Sequence, residues 1–187
     1  MSIFVSDEAK QKFQGFWFGL GHHLCSLYWI AISFELGDAG GYFVGFIAVT
    51  ALASFLSIFT AISFYCIRSL DQKLNLLQYM VSIVLILTLT DWIKGNMLWS
   101  FPWLPISAIW SFSELTLYPF SLIGKWGYSL VTYSIIIGFL VLKIKIKNSL
   151  ILFCPLALVI IPYFFEKAPA EDNKRELHVR IVQPNIS

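Results

Sequence analysis

Five long apolar runs constrain this chain more than any motif in it. They cover about residues 13–34, 42–67, 76–93, 119–142 and 150–165. A helix rises about 1.5 Å per residue, so about 20 apolar residues cross a hydrocarbon core ~30 Å thick. The runs lack the two-residue alternation of a barrel strand, and in lipid only helices and closed barrels satisfy every backbone group. The expected fold is therefore an all-α integral membrane protein of about five transmembrane helices. The fifth run is the shortest and is interrupted by Pro155 and Pro162. Composition agrees: 58% of residues are hydrophobic, only 13% are charged, and mean hydropathy is +0.74. A soluble domain carries roughly 25% charged residues to cover its surface, so lipid is the expected solvent for most of this chain.

The charges between the runs set an expected orientation. Lys10 and Lys12 precede the first run, Arg68 and Lys73 follow the second, and Lys143, Lys145 and Lys147 follow the fourth. The loop after the first run offers only Glu35 and Asp38. Basic residues thus gather on alternate loops, which places the N-terminus in the cytoplasm and, with five spans, the C-terminus outside. The net charge of +2 includes no basic block that could neutralise a run of phosphates, so no nucleic-acid partner is expected. Cys25, Cys66 and Cys154 each stand alone in an apolar run, without the spacing of a zinc site or a disulfide framework. The first twelve residues lack the pattern of a secretory signal peptide.

Two segments do not read as spans. Residues 95–118 are broken by Pro102 and Pro105 yet remain apolar and aromatic. Trp99, Phe101, Trp103 and Trp110 suit a membrane–water interface, where a ring meets lipid and an indole N–H meets water. The segment reads either as an ordinary aromatic belt or as a re-entrant or surface-lying loop. In the second case Trp99, Phe101, Pro102 and Trp103 are the candidate residues facing lipid or substrate. At the other end, residues 166–187 form a polar linker followed by Leu177–Gln183, which alternates like a half-buried strand. One strand cannot stabilise itself, so this end is expected to open a further domain, leaving 1–165 as the membrane domain.

Polar residues inside the runs are functional candidates by default. His22 and His23 point about 100° apart on a helix and cannot share a metal; the plain expectation is that one hydrogen-bonds a carbonyl on a neighbouring helix. Asp91 and Lys94, three residues apart, can form a structural pair, and the insertion cost of a charge places them near the outer interface. Gly15, Gly19 and Gly21 offer a small-residue face for close helix packing. Glu114 and Lys125 stand isolated. No cofactor or metal is expected.

The segment from Thr90 to Ser111 resembles the membrane-domain signature of the apolipoprotein N-acyltransferases. Asp91, Trp92, Ile93, Lys94 and Gly95 match its acidic–aromatic–Leu/Ile–Arg–Gly half, with Lys for Arg. Phe101, Pro102 and Trp103 match its Gly-Phe-Pro-Trp half, with Ser100 for Gly. Gly15–Phe34 is similar to the family's glycine-rich helix, and Leu177–Ser187 resembles the strand that opens its nitrilase-like domain. The resemblance implies transfer of an acyl chain from a membrane phospholipid, through a cysteine thioester, to the diacylglyceryl-cysteine of a lipoprotein. The Glu–Lys–Cys triad for that chemistry lies, in the family, beyond this strand, and two further helices precede the Gly15 segment. The resemblance therefore implies the central part of the membrane domain in a bacterial inner membrane, inactive alone, with a nitrilase-like domain as partner. The reading set against it is a small membrane protein that binds or scaffolds without acyl transfer.

Overall fold

The computed structural model describes residues 13–37, 40–71, 73–97, 105–112, 114–142, 144–157 and 160. The helices are α1 (Gln14–Leu27), α2 (Trp29–Leu36), α3 (Gly41–Leu70), α4 (Leu76–Met97), α5 (Glu114–Val141) and α6 (Ile146–Phe153). Short 3-10 turns at Ile106–Trp110 and Cys154–Leu156 complete the pattern, and there is no strand among the described residues. Among the described residues, three segments are long and apolar enough to cross a membrane: Gly41–Leu70, Leu76–Asn96 and Phe120–Val141. The chain is an all-α integral membrane protein.

The first expected span is divided. α1 and α2 meet at Tyr28, where the Ala31 N–H bonds to the Tyr28 carbonyl at 3.1 Å in a tightened turn. Neither helix alone reaches the length of a span. Both nevertheless pack along α3 in one antiparallel register. A Cβ at Gly15 would meet Phe64 and Ala61, one at Gly19 would meet Thr60 and Ser57, and Gly45 lies against Ala31. The buried stripe of Gly15, Gly19, His23 and Leu27 recurs every four residues, as one helical face requires. Gly21 departs from the expected small-residue face: it points away from α3, with nothing within 4 Å of where a Cβ would stand.

Helix ends follow from local chemistry. Gly40 adopts φ 92°, which only a residue without a Cβ takes up easily, and the Tyr42 N–H bonds to a Glu35 carboxylate oxygen at 2.8 Å. The Glu35 carboxylate thus meets the positive end of α3. At the start of α4, Asn75 Oδ1 accepts the Gln78 N–H at 3.0 Å, while the Asn75 N–H reaches Gln78 Oε1 at 3.2 Å. That reciprocal box satisfies two orphan donors and fixes where α4 begins. α4 continues to Met97, four residues past the apolar run, and so carries Asp91, Lys94 and Gly95 within the helix.

The helix of the fourth run begins at Glu114, before its membrane-length stretch Phe120–Val141, and is broken. Gly124, at φ 66° and ψ 173°, lies in a region that residues with a Cβ essentially never occupy, and it divides α5 into two helical stretches. α6 starts at Ile146, not near residue 150, and ends in the 3-10 turn at Pro155, which cannot continue the helical hydrogen bonding. The remainder of the fifth run after residue 160, and the Leu177–Gln183 strand, lie outside the described residues.

Two apolar clusters hold the bundle. Leu27, Ala31, Val49 and Leu56 join α1 and α2 to α3. Met80, Val84, Ile137, Val141 and Leu152 join α4, α5 and α6. Between them, Ser63 Oγ on α3 meets Thr90 Oγ1 on α4 at 2.5 Å. Buried and half-buried hydroxyls also return to their own helices: Ser57 bonds to the Ala53 carbonyl, Thr90 to Ile86 and Thr132 to Tyr128. This is how a hydroxyl is satisfied where no water competes. Large apolar side chains such as Phe43, Phe46, Ile58, Phe139 and Leu140 face outward, as a surface solvated by lipid allows.

Candidate functional site

Asp91 is the most deeply buried acidic side chain among the described residues, at 4% exposure. An ionised carboxylate in such a place needs partners for both oxygens. Oδ1 lies 3.0 Å from the Lys94 ammonium, one turn along α4. Oδ2 accepts two hydrogen bonds from other elements: the Tyr133 hydroxyl of α5 at 3.1 Å and the Ile106 backbone N–H at 3.2 Å. One carboxylate thus joins α4, α5 and the first residue of the 3-10 turn. Because Asp91 follows Thr90, it sits beside the Ser63 part of α3, well away from the Gly40 turn. Its three partners offset the burial of the carboxylate.

The 3-10 turn is held at further points, among them the Thr116 hydroxyl of α5, which donates to the Trp110 carbonyl. Ser129 Oγ bonds to Ser107 Oγ at 3.2 Å, both side chains being buried. The indole N–H of Trp110 donates to Thr132 Oγ1 at 2.8 Å, and its ring stacks on Tyr128 with centroids 5.8 Å apart. Trp110 is thus drawn onto α5 through a protein hydrogen bond, not held at water by its N–H as the interfacial reading expected. The sequence reading also missed Tyr133, Thr132 and Ser129. Their only mark was a hydroxyl inside an apolar run, where a donor must find a partner.

Gly95 allows the closest approach in the region. A Cβ there would fall 2.2 Å from the Trp126 ring of α5, so only glycine lets α4 and the indole meet. Lys125 places its ammonium 4.5 Å from the same ring, a cation–π contact next to the Gly124 break. Hence Gly95, Trp126 and Lys125 form a second α4–α5 contact one turn beyond Asp91. Lys125, which stood isolated in sequence, has this ring as its neighbour.

The two histidines divide. His22 is exposed, whereas His23 is 4% exposed and its Nε2 has no hydrogen-bond partner, so the expected bond from that atom to a carbonyl is not made. Their rings stand edge to face, 5.1 Å apart. Among the described residues no three His, Cys, Asp or Glu side chains come together as metal ligands would. Cys25 and Cys154 are exposed and Cys66 is half-buried. Of the candidate site residues, Asp91 and Lys94 are placed by the structure, while Trp99, Phe101, Pro102 and Trp103 lie outside the described residues.

Comparison with known proteins bears on this geometry. Residues 1–138 match the family described as the apolipoprotein N-acyltransferase N-terminal domain. An apolipoprotein N-acyltransferase of Rickettsia prowazekii is 30% identical over 187 residues, covering 96% of this chain and 36% of the relative. That of Rhodopseudomonas palustris is 34% identical over 124 residues, covering 65% of this chain and 22% of the relative. That of Bradyrhizobium diazoefficiens is 37% identical over 122 residues, covering 65% and 22% respectively. The chain thus spans about a third or less of the length of these relatives. No solved structure matches it significantly. The matched region contains α1 to α4, the 3-10 turn and most of α5, with the contacts around Asp91, and the chain belongs to the apolipoprotein N-acyltransferase family.

Proposed function

We propose that these residues form the lipid-embedded part of an enzyme that moves an acyl chain from a membrane phospholipid to the N-terminal diacylglyceryl-cysteine of a lipoprotein. The observation that supports it most is the position of the signature. Asp91, Lys94 and Gly95 are the residues through which α4 meets α5, and Asp91 alone also meets the 3-10 turn. In this reading the acyl-carrying cysteine belongs to a nitrilase-like domain, supplied in the same polypeptide or separately, and the 187 residues alone do not acylate. The acyl transfer proceeds in two steps: the thiolate attacks the phospholipid ester and releases the lysophospholipid, and the lipoprotein amine then attacks the thioester and regenerates the thiol.

The membrane segment contributes a lipid-solvated platform. Residues 1–165 make up the membrane domain, and residues 166–187 form a linker and the strand that opens the catalytic domain. The basic loops hold the N-terminus in the cytoplasm of a bacterial inner-membrane protein, so the C-terminal linker leads to the periplasm. Trp99, Phe101, Pro102 and Trp103 provide the apolar and interfacial contacts for lipid or lipoprotein.

Complementation tests this. The chain is expressed in a strain depleted of apolipoprotein N-acyltransferase, with and without a nitrilase-like domain, and N-acylation of a model lipoprotein is read by mass spectrometry. Acylation only with the catalytic domain is the expected result. Acylation by the chain alone refutes the assignment of the nucleophile, and no acylation in either case favours a membrane protein with a binding or scaffolding role.

A further inference from the structure

We propose that Asp91 is a positioning residue whose neutral-type hydrogen bonds, more than its ion pair, hold the 3-10 turn Ile106–Trp110 against α5. The inference rests on the enzymatic reading above for its consequence, but its geometry stands independently. α4 ends at Met97 and the chain is next described from Pro105, so Asp91 is fixed to the helix from which the segment carrying Trp99, Phe101 and Trp103 departs and bonded to the turn to which it returns. The same oxygen that takes the Ile106 N–H also takes the Tyr133 hydroxyl. Hence departure, return and α5 share one acceptor atom. The other oxygen faces Lys94 on the same helix, and that pair by itself connects nothing between elements.

This division predicts different behaviour for two substitutions. Asp91→Asn keeps a carbonyl oxygen that can accept both hydrogen bonds but loses the charge facing Lys94. Asp91→Ala loses all three contacts. The turn then retains the Ser107–Ser129 bond, the Trp110 side-chain contacts to α5 and the bond from the Thr116 hydroxyl to the Trp110 carbonyl. Two net hydrogen bonds raise the population of the released turn by roughly tenfold or more.

The test is thiol accessibility in the full chain, solubilised in a mild detergent, after Cys25→Ala, Cys66→Ala and Cys154→Ala. Ser107→Cys reports on the turn, since Ser107 is fully buried against α5. Ser57→Cys, fully buried in α3 on the side facing α1, reports on the rest of the fold. The rate of labelling by a water-soluble maleimide follows the open population when opening is fast relative to modification. With Asp91→Ala, labelling at position 107 is expected to rise roughly tenfold or more while position 57 stays protected. With Asp91→Asn, both positions stay near the parent rate. Three results overturn the proposal: unchanged protection at 107 in Asp91→Ala, equal exposure of 57, or Asp91→Asn behaving like Asp91→Ala. Failure of acylation by the parent chain with its catalytic domain overturns the enzymatic reading instead, because the labelling needs no activity.

Discussion

Gly45→Ala is the sharpest perturbation the packing offers, because the atoms it meets belong to backbone. The added Cβ would stand 2.7 Å from the Ala31 carbonyl oxygen and 2.9 Å from the Ala31 Cα. Neither can rotate aside as a side chain could. To restore an ordinary contact of 3.4 Å, α2 and α3 must part by about 0.7 Å, loosening the Ala31–Val49 part of their shared cluster. Overpacking of this kind costs about 1–3 kcal/mol, and the better helix propensity of alanine offsets at most ~1 kcal/mol of it. The net expectation is a loss of about 1–2 kcal/mol. Gly21→Ala is the internal control, since no atom lies within 4 Å of its Cβ and the change keeps only the propensity gain. The two variants would be unfolded by adding dodecyl sulfate to non-ionic micelles, followed by far-ultraviolet circular dichroism. If Gly45→Ala proves as stable as Gly21→Ala, the close α2–α3 seam is wrong.

Other substitutions separate the remaining contacts. Lys94→Met leaves Asp91 buried without its counter-charge and is expected to cost about 3 kcal/mol or more, whereas Lys94→Arg keeps the pair; folded yield after detergent extraction distinguishes them. Gly124→Ala forces a Cβ into φ 66°, ψ 173° and is expected to cost about 1–3 kcal/mol in the same unfolding titration. Thr90→Val removes the Ser63 contact between α3 and α4 and is expected to cost only about 0.6 kcal/mol, the usual worth of an interhelical hydrogen bond in a membrane bundle. A loss of several kcal/mol there would show that this contact organises the α3–α4 pair, not merely decorates it.

The apolar runs located most of the chain's helices because the bilayer imposes a length that local sequence must meet. What they did not show were the breaks. Tyr28 carries no breaker signature, and the local backbone there stays near helical values, so the division between α1 and α2 is a matter of hydrogen bonding alone. Gly124 does carry one, yet glycine is also common as a packing residue in membrane helices, and Gly138 plays that part against Phe153 fourteen residues later. The same residue type thus has two meanings that only tertiary context separates. Likewise Gly15 and Gly21 look alike in sequence, but only the first lies on the face that α3 covers.

The site was half legible for a related reason. The three-residue spacing of Asp91 and Lys94 is a local property, so their pairing could be read from the chain. Tyr133 lies 42 residues from Asp91, and nothing in the apolar sequence of α5 marks which of its hydroxyls turns toward α4. The rule that a donor in lipid must be satisfied says only that a partner exists. It becomes informative when combined with the carboxylate. Lys94 occupies one oxygen of Asp91, and a buried carboxylate retains acceptor capacity at the other that its surroundings must fill. A buried acid near the end of a membrane helix therefore identifies the point where donors from other elements converge, even when their identity is unknown. Here those donors are a tyrosine and a backbone amide, and through them a signature written on one helix becomes a property of three elements.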